Sequence, residues 1–267
     1  MAYTLGIIGG GHMGGAVLTG AVTQKVLNPR EVLLVDPSAE RRYEFAALGC
    51  AVTDDVAEAA ACEQILLAVK PQVFPVVAAS LGHLPRPTVV VSIMAGLASA
   101  TIAAALGPNA RVVRVMPNTP CQVGQGASAI SLGAAAEPGD DALARRLFES
   151  IGTCISVNES LMHAVTALSG SGPAYVYLLA EAMEQAGHQL GLANADARLL
   201  AERTLVGAAK LLEQSGQSAG ELRQAVTSPN GTTAAALEVM FERELPQIIA
   251  EAMLAARDRS QELAQPD

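Results

Sequence analysis

The sequence lacks large aromatic side chains and carries little charge. Tryptophan is absent, Tyr and Phe occur four times each, and only 16% of the 267 residues are charged, whereas 51% are hydrophobic. A core of this composition must be built from Ala, Val, Leu and Ile, which suits closely packed helices and buried parallel strands. A chain of this length forms either one large domain or two smaller ones.

Positive charge is scarce as well. The chain has 17 Lys and Arg residues against 26 Asp and Glu residues, which gives a net charge of −9. Nucleic acids and anionic membranes bind clusters of positive charge, so we expect neither as a partner. Two uncharged stretches, residues 1–24 and 87–110, are rich in glycine or other small residues and are not typical of a signal peptide or a membrane-spanning helix.

Cysteine and histidine are few and scattered. The cysteines form no C-x-x-C pair and indicate reduced thiols in a cytoplasmic protein: Cys50, Cys62, Cys121 and Cys154. The four histidines lack the spacing of metal ligands and have no triad partner. The sequence therefore predicts no metal site.

Short aliphatic runs alternate with helical stretches in the first part of the chain. Seven runs have the length of strands, of which the last two are weaker: TLGIIGG, EVLLVD, QILLAVK, TVVVSIM, RVVRVMP, ASAISLG and CISVN. Strands separated by helices form a mostly parallel sheet. From residue 158 onward only Ala- and Leu-rich helical stretches follow. We therefore predict an α/β, Rossmann-like dinucleotide-binding domain over residues 1–157 and an all-helical domain over residues 158–267.

A glycine motif follows the first predicted strand. Gly9-x-Gly11-x-x-Gly14 opens a helix, and Asp36 ends the next strand, 22 residues after Gly14. This context makes the motif a dinucleotide fingerprint, in which the glycines permit a tight turn, close approach of the pyrophosphate, and close packing of helix on strand. The ends of three further strands, at AVKPQ, SIMAG and MPNTP, should line the cofactor at the same edge of the sheet. Lys70 in the first of them is equally well explained as a surface lysine.

The residues after the second strand leave the choice of cofactor open. An acid at the position of Asp36 normally accepts hydrogen bonds from the ribose 2′-OH of NAD and repels the 2′-phosphate of NADP. However, Ser38, Arg41 and Arg42 follow directly and offer groups for that phosphate. The two arginines are also explained as the solvated face of a helix.

Two helices in the second part begin without an acidic residue. In TSPNGTT, Pro229, Asn230 and Gly231 form a turn, Thr232 or Thr233 is expected as the N-cap, and no acid occurs before Glu238. In SGSGPAY, Pro173 suits the first helical position, and no acid occurs before Glu181. A helix start has unpaired N–H groups and a partial positive charge, so each start is either an anion site or simply a capped helix.

The positions of the lysines argue against a dehydrogenase that needs a catalytic lysine and agree better with the reduction of an imine. A 3-hydroxyacid dehydrogenase of the 6-phosphogluconate type needs a catalytic lysine in its second domain, but Lys210 lies away from both helix starts. Reduction of an imine needs little general-base help, because the C=N carbon accepts hydride readily once it is positioned.

Six motifs together resemble one enzyme family along essentially the whole chain. IIGGGHMGGAVLTG, AVKPQ, SIMAGL, RVMPNTP, LSGSGPAY and VTSPNGTT occur in the order and spacing of the pyrroline-5-carboxylate reductase family. The resemblance implies reduction of 1-pyrroline-5-carboxylate to L-proline by NAD(P)H, with NADP(H) favoured and NAD(H) as the alternative. It also implies that the helical domain binds substrate and forms an intertwined homodimer, or a larger ring such as a decamer.

The resemblance also implies the site residues. In the substrate site, the backbone N–H groups of Gly231 and Thr232 and the Ser228 hydroxyl hold the carboxylate, Asn230 shapes the turn, and catalytic Thr233 points its hydroxyl at the ring nitrogen. The cofactor set comprises Ile8, Gly9, Gly10, Gly11, His12 and Met13 at the pyrophosphate, Asp36 and Asp55 near the adenosine ribose, and Ala68, Val69, Lys70, Pro71, Met94, Ala95 and Gly96 beside the cofactor. Asn230 replaces a glycine that is usual in the family, and the acids at 36 and 55 replace neutral residues. A non-catalytic, cofactor-sensing protein on the same fold is the alternative function.

Overall fold

The computed structural model describes residues 3–264. Within them an eight-stranded sheet has the spatial order β3-β2-β1-β4-β5-β6-β7-β8, and only the neighbours β6 and β7 run antiparallel. The strands are β1 (Leu5–Ile8), β2 (Val32–Val35), β3 (Ala51–Thr53), β4 (Gln64–Leu67), β5 (Thr88–Ser92), β6 (Ala110–Met116), β7 (Gly126–Leu132) and β8 (Gly152–Ser156). The predicted Rossmann-like, mostly parallel sheet is confirmed.

The middle strands are buried on both faces of the sheet. Leu5 and Ile7 of β1 belong to one hydrophobic core cluster, while Ile8 belongs to a second cluster with Ile65 and Leu67. A parallel strand that is covered on both faces needs apolar residues at successive positions. This is why the aliphatic runs predicted seven of the eight strands.

Strand β3 was not predicted from the sequence. This strand has only three residues, all of them half-buried, and it lies at the edge of the sheet beside β2. An edge strand packs fewer apolar side chains, so Ala51–Thr53 carries no aliphatic run that predicts a strand.

The helices of the sheet region follow the strands as expected. The first begins at His12 within the glycine motif, with Gly11 as its N-cap. The helices of the first 165 residues are α1 (His12–Thr23), α2 (Ala39–Ala47), α3 (Phe74–Leu81), α4 (Ser99–Leu106), α5 (Ala142–Glu149) and the short α6 (Met162–Val165). A π-helical turn, Thr166–Gly170, comes next.

The remaining described residues, up to 264, are mostly helical, as predicted. Their helices are α7 (Gly172–Gln189), α8 (Asn194–Ser215), α9 (Ala219–Ala225), α10 (Thr232–Glu242) and α11 (Leu245–Glu262). None of the helices in residues 3–264 has the length and apolar character that crossing a bilayer requires.

Two compact units can be distinguished in the described chain. Residues up to Ser171 and from Ala256 onward form the first unit, and Gly172–Ala255 form the second. The division predicted at residue 158 rests on the change from alternating strands and helices to helices alone, and it stays a prediction.

The second unit buries very little of its own surface. Among its described residues only Ala197 and Ala201 are buried. Many of its large apolar side chains are exposed, among them Val176, Tyr177, Leu178, Leu199, Leu200, Leu211, Met240, Phe241 and Ile248.

Candidate cofactor and substrate sites

The glycine loop between β1 and α1 is shaped by close contacts that exclude side chains. Gly9 has a φ of 104°, and a Cβ there would lie 2.6 Å from the Ala68 carbonyl oxygen. A Cβ on Gly14 would collide with the Gly9 carbonyl oxygen. Gly11 differs, because nothing lies within 4 Å of the place where its Cβ would stand. Contacts at Gly9 and Gly14 therefore fix the backbone of the loop, whereas the space beside Gly11 is open.

A groove runs along the start of α1. The helix has no acidic residue in its first turn and no side chain that caps it, so the positive end of its dipole is not offset there. The groove has a volume of about 390 Å³ and is lined by Gly11, His12, Gly15, Ala16, Thr19, Arg41, Glu44, Phe45, Leu48 and Gln122. The open glycine and the helix start fit the phosphates of a dinucleotide. Thr19 was not among the residues predicted from the sequence, although it lies seven residues after His12 on the same face of α1.

Asp36 is nearly buried and holds the glycine loop. Its Oδ2 accepts a hydrogen bond of 2.6 Å from the Gly10 N–H, and its Oδ1 accepts one of 2.8 Å from the Ser38 N–H. Both carboxylate oxygens thus have a backbone partner. The side chain fixes the turn that the cofactor would approach.

The two arginines after Asp36 are both engaged. Arg42 donates to the carbonyl oxygen of Asp36 over 2.7 Å and pairs with Asp54 at 3.3 Å. Arg41 pairs with Glu44 at 2.7 Å, and both residues line the groove. Arg42 therefore braces the end of β2, whereas Arg41 lies in the groove at the start of α1.

The other predicted cofactor residues lie in loops after parallel strands. Ala68, Val69, Lys70 and Pro71 follow β4, and Met94, Ala95 and Gly96 follow β5, with Gly96 at a φ of 80°. β1 pairs with β2 and β4 in a register that aligns Ile8 with Val35 and Leu67, so the loops after these strands emerge side by side. Asp55 lies after β3, where its Oδ1 accepts from the Ala57 N–H and caps a 3-10 turn.

The predicted substrate loop, residues 228–233, lies in the second unit and runs into the start of α10. Asn230 has a φ of 59°, a left-handed conformation that Asn tolerates better than most residues. The N-cap is Gly231, so the expectation that Thr232 or Thr233 caps the helix was wrong. The Gly231 N–H donates to the Ser228 carbonyl oxygen over 3.0 Å, and this turn bond makes Thr232 the first helical residue. As predicted, the first turn contains no acid and no side chain caps the helix.

Burial raises the pKa of Cys62 and of Cys154 to about 11, so both thiols are protonated at neutral pH. Among residues 3–264 no group of His, Cys, Asp and Glu side chains is arranged to hold a metal ion.

The fold and the glycine loop define a nicotinamide-dependent oxidoreductase with a Rossmann-like domain. A family model described as pyrroline-5-carboxylate reductase dimerisation matches residues 159–263, and a model described as NADP oxidoreductase, coenzyme F420-dependent, matches residues 4–96. The chain is similar to the pyrroline-5-carboxylate reductase of Synechocystis sp., with 41% identity over 98% of this chain and 99% of the relative, and to that of Pisum sativum, with 38% identity over 98% and 97%. The chain belongs to the pyrroline-5-carboxylate reductase family.

Solved structures of relatives have the same fold. A pyrroline-5-carboxylate reductase from Coxiella burnetii superposes with a TM-score of 0.92 and 33% identity over the whole of both chains. The pyrroline carboxylate reductase of Plasmodium falciparum, a structure with NADP bound, superposes with a TM-score of 0.85 and 28% identity over 98% of both chains.

Proposed function

We propose that this reductase converts 1-pyrroline-5-carboxylate to L-proline with NADPH as its preferred cofactor and binds the substrate at residues 228–233. The start of α10 carries the proposal: a left-handed Asn230, a glycine N-cap and no acid in the first turn leave N–H donors for a small carboxylate. The similarity to reductases of this family along 98% of the chain supports the same reaction.

The substrate carboxylate binds at the first turn of α10. The Gly231 N–H already donates within the turn, whereas an N–H at the first helical position, that of Thr232, has no partner within a helix. The Thr232 N–H and the Ser228 hydroxyl are therefore the donors. Thr233 is half-buried at the second helical position, and its hydroxyl accepts from an iminium N–H or relays a proton from water to a neutral imine.

The cofactor binds along the groove at the start of α1. When bound, it supplies the hydride that reduces the C=N carbon. The residues proposed to hold it are 8–13 at the pyrophosphate, Asp36 and Asp55 near the adenosine ribose, and 68–71 and 94–96 beside the cofactor. Asp36 already accepts two backbone hydrogen bonds, so its charge is partly offset, and Arg41 places a guanidinium in the groove, where it pairs with Glu44. These contacts support NADPH over NADH.

Arg41→Ala tests the preference for NADPH. We expect kcat/KM with NADPH to fall roughly 10- to 100-fold, the loss expected for a hydrogen bond to a charged group, while the value with NADH stays within about twofold. Arg42→Ala is the matched variant, because Arg42 braces β2 and should affect both cofactors alike. If kcat/KM with NADPH is the same for Arg41→Ala and for the wild type, the proposed contact of Arg41 with the 2′-phosphate is contradicted.

The activity itself is tested by following NADPH oxidation in the presence of pyrroline-5-carboxylate. Turnover with production of proline supports the reductase. Folded protein that binds NADPH without turning over the substrate would instead support the cofactor-sensing alternative.

The proposed assembly is a homodimer in the cytoplasm, with a larger ring such as a decamer as a further step. The second unit buries only two of its described residues and exposes many large apolar side chains, which a second copy would cover. Light scattering of the purified protein tests the assembly: a monomer would contradict it.

A further inference from the structure

The loop 94–96, which we propose to flank the cofactor, leads directly into α4. The N-cap of α4 is Ala98, which offers no side-chain hydrogen bond to the helix. Glu159, which lies 60 positions after Ser99, supplies the cap instead. The Ser99 N–H donates to Oε1 of Glu159 over 2.7 Å, and the Ser99 hydroxyl donates to Oε2 over 2.6 Å.

Arg114 of β6 fixes the Glu159 carboxylate. Its guanidinium donates to Oε1 over 3.1 Å, and only 7% of Arg114 is exposed. Burial by itself raises the pKa of Glu159, but the hydrogen bonds from Ser99 and Arg114 outweigh that effect and hold the pKa below its ordinary value. Glu159 is therefore ionised at neutral pH, and removing it leaves a buried cation without its partner.

The C-terminal end of α11 supports the same loop from a second direction. A Cβ on Gly96 would lie 3.5 Å from Cβ of Leu263, so the loop passes close to this helix end. Ser260, which is 6% exposed, shares a hydrogen bond of 2.9 Å with Nδ1 of His163. His163 lies four residues after Glu159, so one short helical segment contacts both the start of α4 and the end of α11.

We infer that Glu159 is a positioning residue for the cofactor. Its carboxylate fixes the start of α4 and thereby keeps residues 94–96 in the conformation that binds the dinucleotide. Glu159 itself touches neither cofactor nor substrate. This inference rests on the cofactor site proposed above.

Replacement of Glu159 should weaken cofactor binding more than it slows turnover. For Glu159→Ala we expect the Kd for NADPH, measured by its own fluorescence on binding, to rise about tenfold, because three charge-assisted hydrogen bonds are lost. For Glu159→Gln, which keeps an amide oxygen for Ser99, we expect a rise of about threefold. At saturating NADPH, kcat should stay within about twofold of wild type, since the substrate loop and Thr233 are unchanged.

Glu137→Gln is the matched control. It removes the exposed ion pair of Glu137 with Arg111, which lies on the same strand as Arg114 but has no link to the loop. Its Kd for NADPH should equal that of wild type. If Glu159→Ala does not fold, Ser99→Ala replaces it, with an expected rise of about threefold because one hydrogen bond to a carboxylate is lost.

Three results would overturn the inference: an unchanged Kd in the folded Glu159 variants, a loss of kcat with normal NADPH affinity, or an equal rise in the Glu137 control. Thermal unfolding of each variant separates a general loss of stability from weaker binding. Failure of the wild-type protein to bind NADPH would overturn the proposed cofactor site and this inference together. Normal wild-type binding with unaffected variants would overturn only the inference.

Discussion

At the scale of single residues, Thr233 is the side chain that we assign to the reacting nitrogen. We predict that Thr233→Ala lowers kcat/KM roughly 10- to 100-fold, because it removes one hydrogen bond worth on the order of 1–3 kcal/mol near a charged group. Thr233→Ser should keep most of the activity, since it retains the hydroxyl. The measurement is kcat/KM for pyrroline-5-carboxylate with both variants.

The control for this prediction is Thr232→Ala. Thr232 is exposed and contributes its backbone N–H rather than its hydroxyl, so its truncation should have little effect. NADPH affinity should be the same in all three variants, because the substitutions lie in the second unit. If Thr233→Ala keeps wild-type activity, Thr233 takes no part in the reaction and serves only at the start of α10.

At the scale of secondary-structure elements, the segment from Glu159 to Val165 makes stability depend on pH. Burial lowers the pKa of His163, and the charge of Arg114 lowers it further, against the opposing effect of Glu159. The unfolded chain, with a histidine pKa of about 6.5, therefore binds this proton more readily than the folded chain does. The stabilisation that comes from the uncharged His163 side chain is fully present above the histidine pKa of the unfolded chain, which is about 6.5. It is lost as the pH falls through the lower pKa of His163 in the folded protein.

The corresponding prediction concerns the free energy of unfolding between neutral and mildly acidic pH. We expect it to decrease as the pH falls, and His163→Gln should reduce the decrease while keeping a partner for Ser260. Urea unfolding at a series of pH values provides the measurement. An identical pH dependence in the variant would show that other groups are responsible.

The elements also show which features the sequence could predict. Local patterns identified seven strands and the glycine loop, because burial on both faces and close backbone contacts restrict residue type at each position. The N-cap of α10 was missed by one residue, since the hydrogen bond from the Gly231 N–H to Ser228 outweighs the capping preference of threonine. The contact of Glu159 with Ser99 was missed because it joins residues 60 positions apart, and no local pattern predicts it.

At the scale of the whole molecule, the sequence predicts an assembly rather than a self-contained monomer. The Ala-rich helices of the second unit carry only three aromatic side chains, Tyr175, Tyr177 and Phe241, and the structure leaves most of the apolar surface of these helices exposed. Burying such surface is a major source of stability in homodimers with intertwined helices. The resemblance to the pyrroline-5-carboxylate reductase family implies that the cofactor residues and the substrate loop that serve one reaction belong to different copies of the chain, and we predict this arrangement.

Mixing two variants with complementary defects, one in the cofactor site and one in the substrate loop, tests this prediction. Gly11→Asp should fold, because nothing lies within 4 Å of the new Cβ, and its carboxylate should repel the pyrophosphate. Thr233→Ala damages only the substrate loop. If each site combines two copies, a mixed dimer has one site with both parts intact, so an equal mixture after exchange should regain about a quarter of the wild-type activity. If each chain works alone, every site in the mixture carries one defect, and activity stays at the level of the separate variants even when subunit exchange is verified with differently tagged chains.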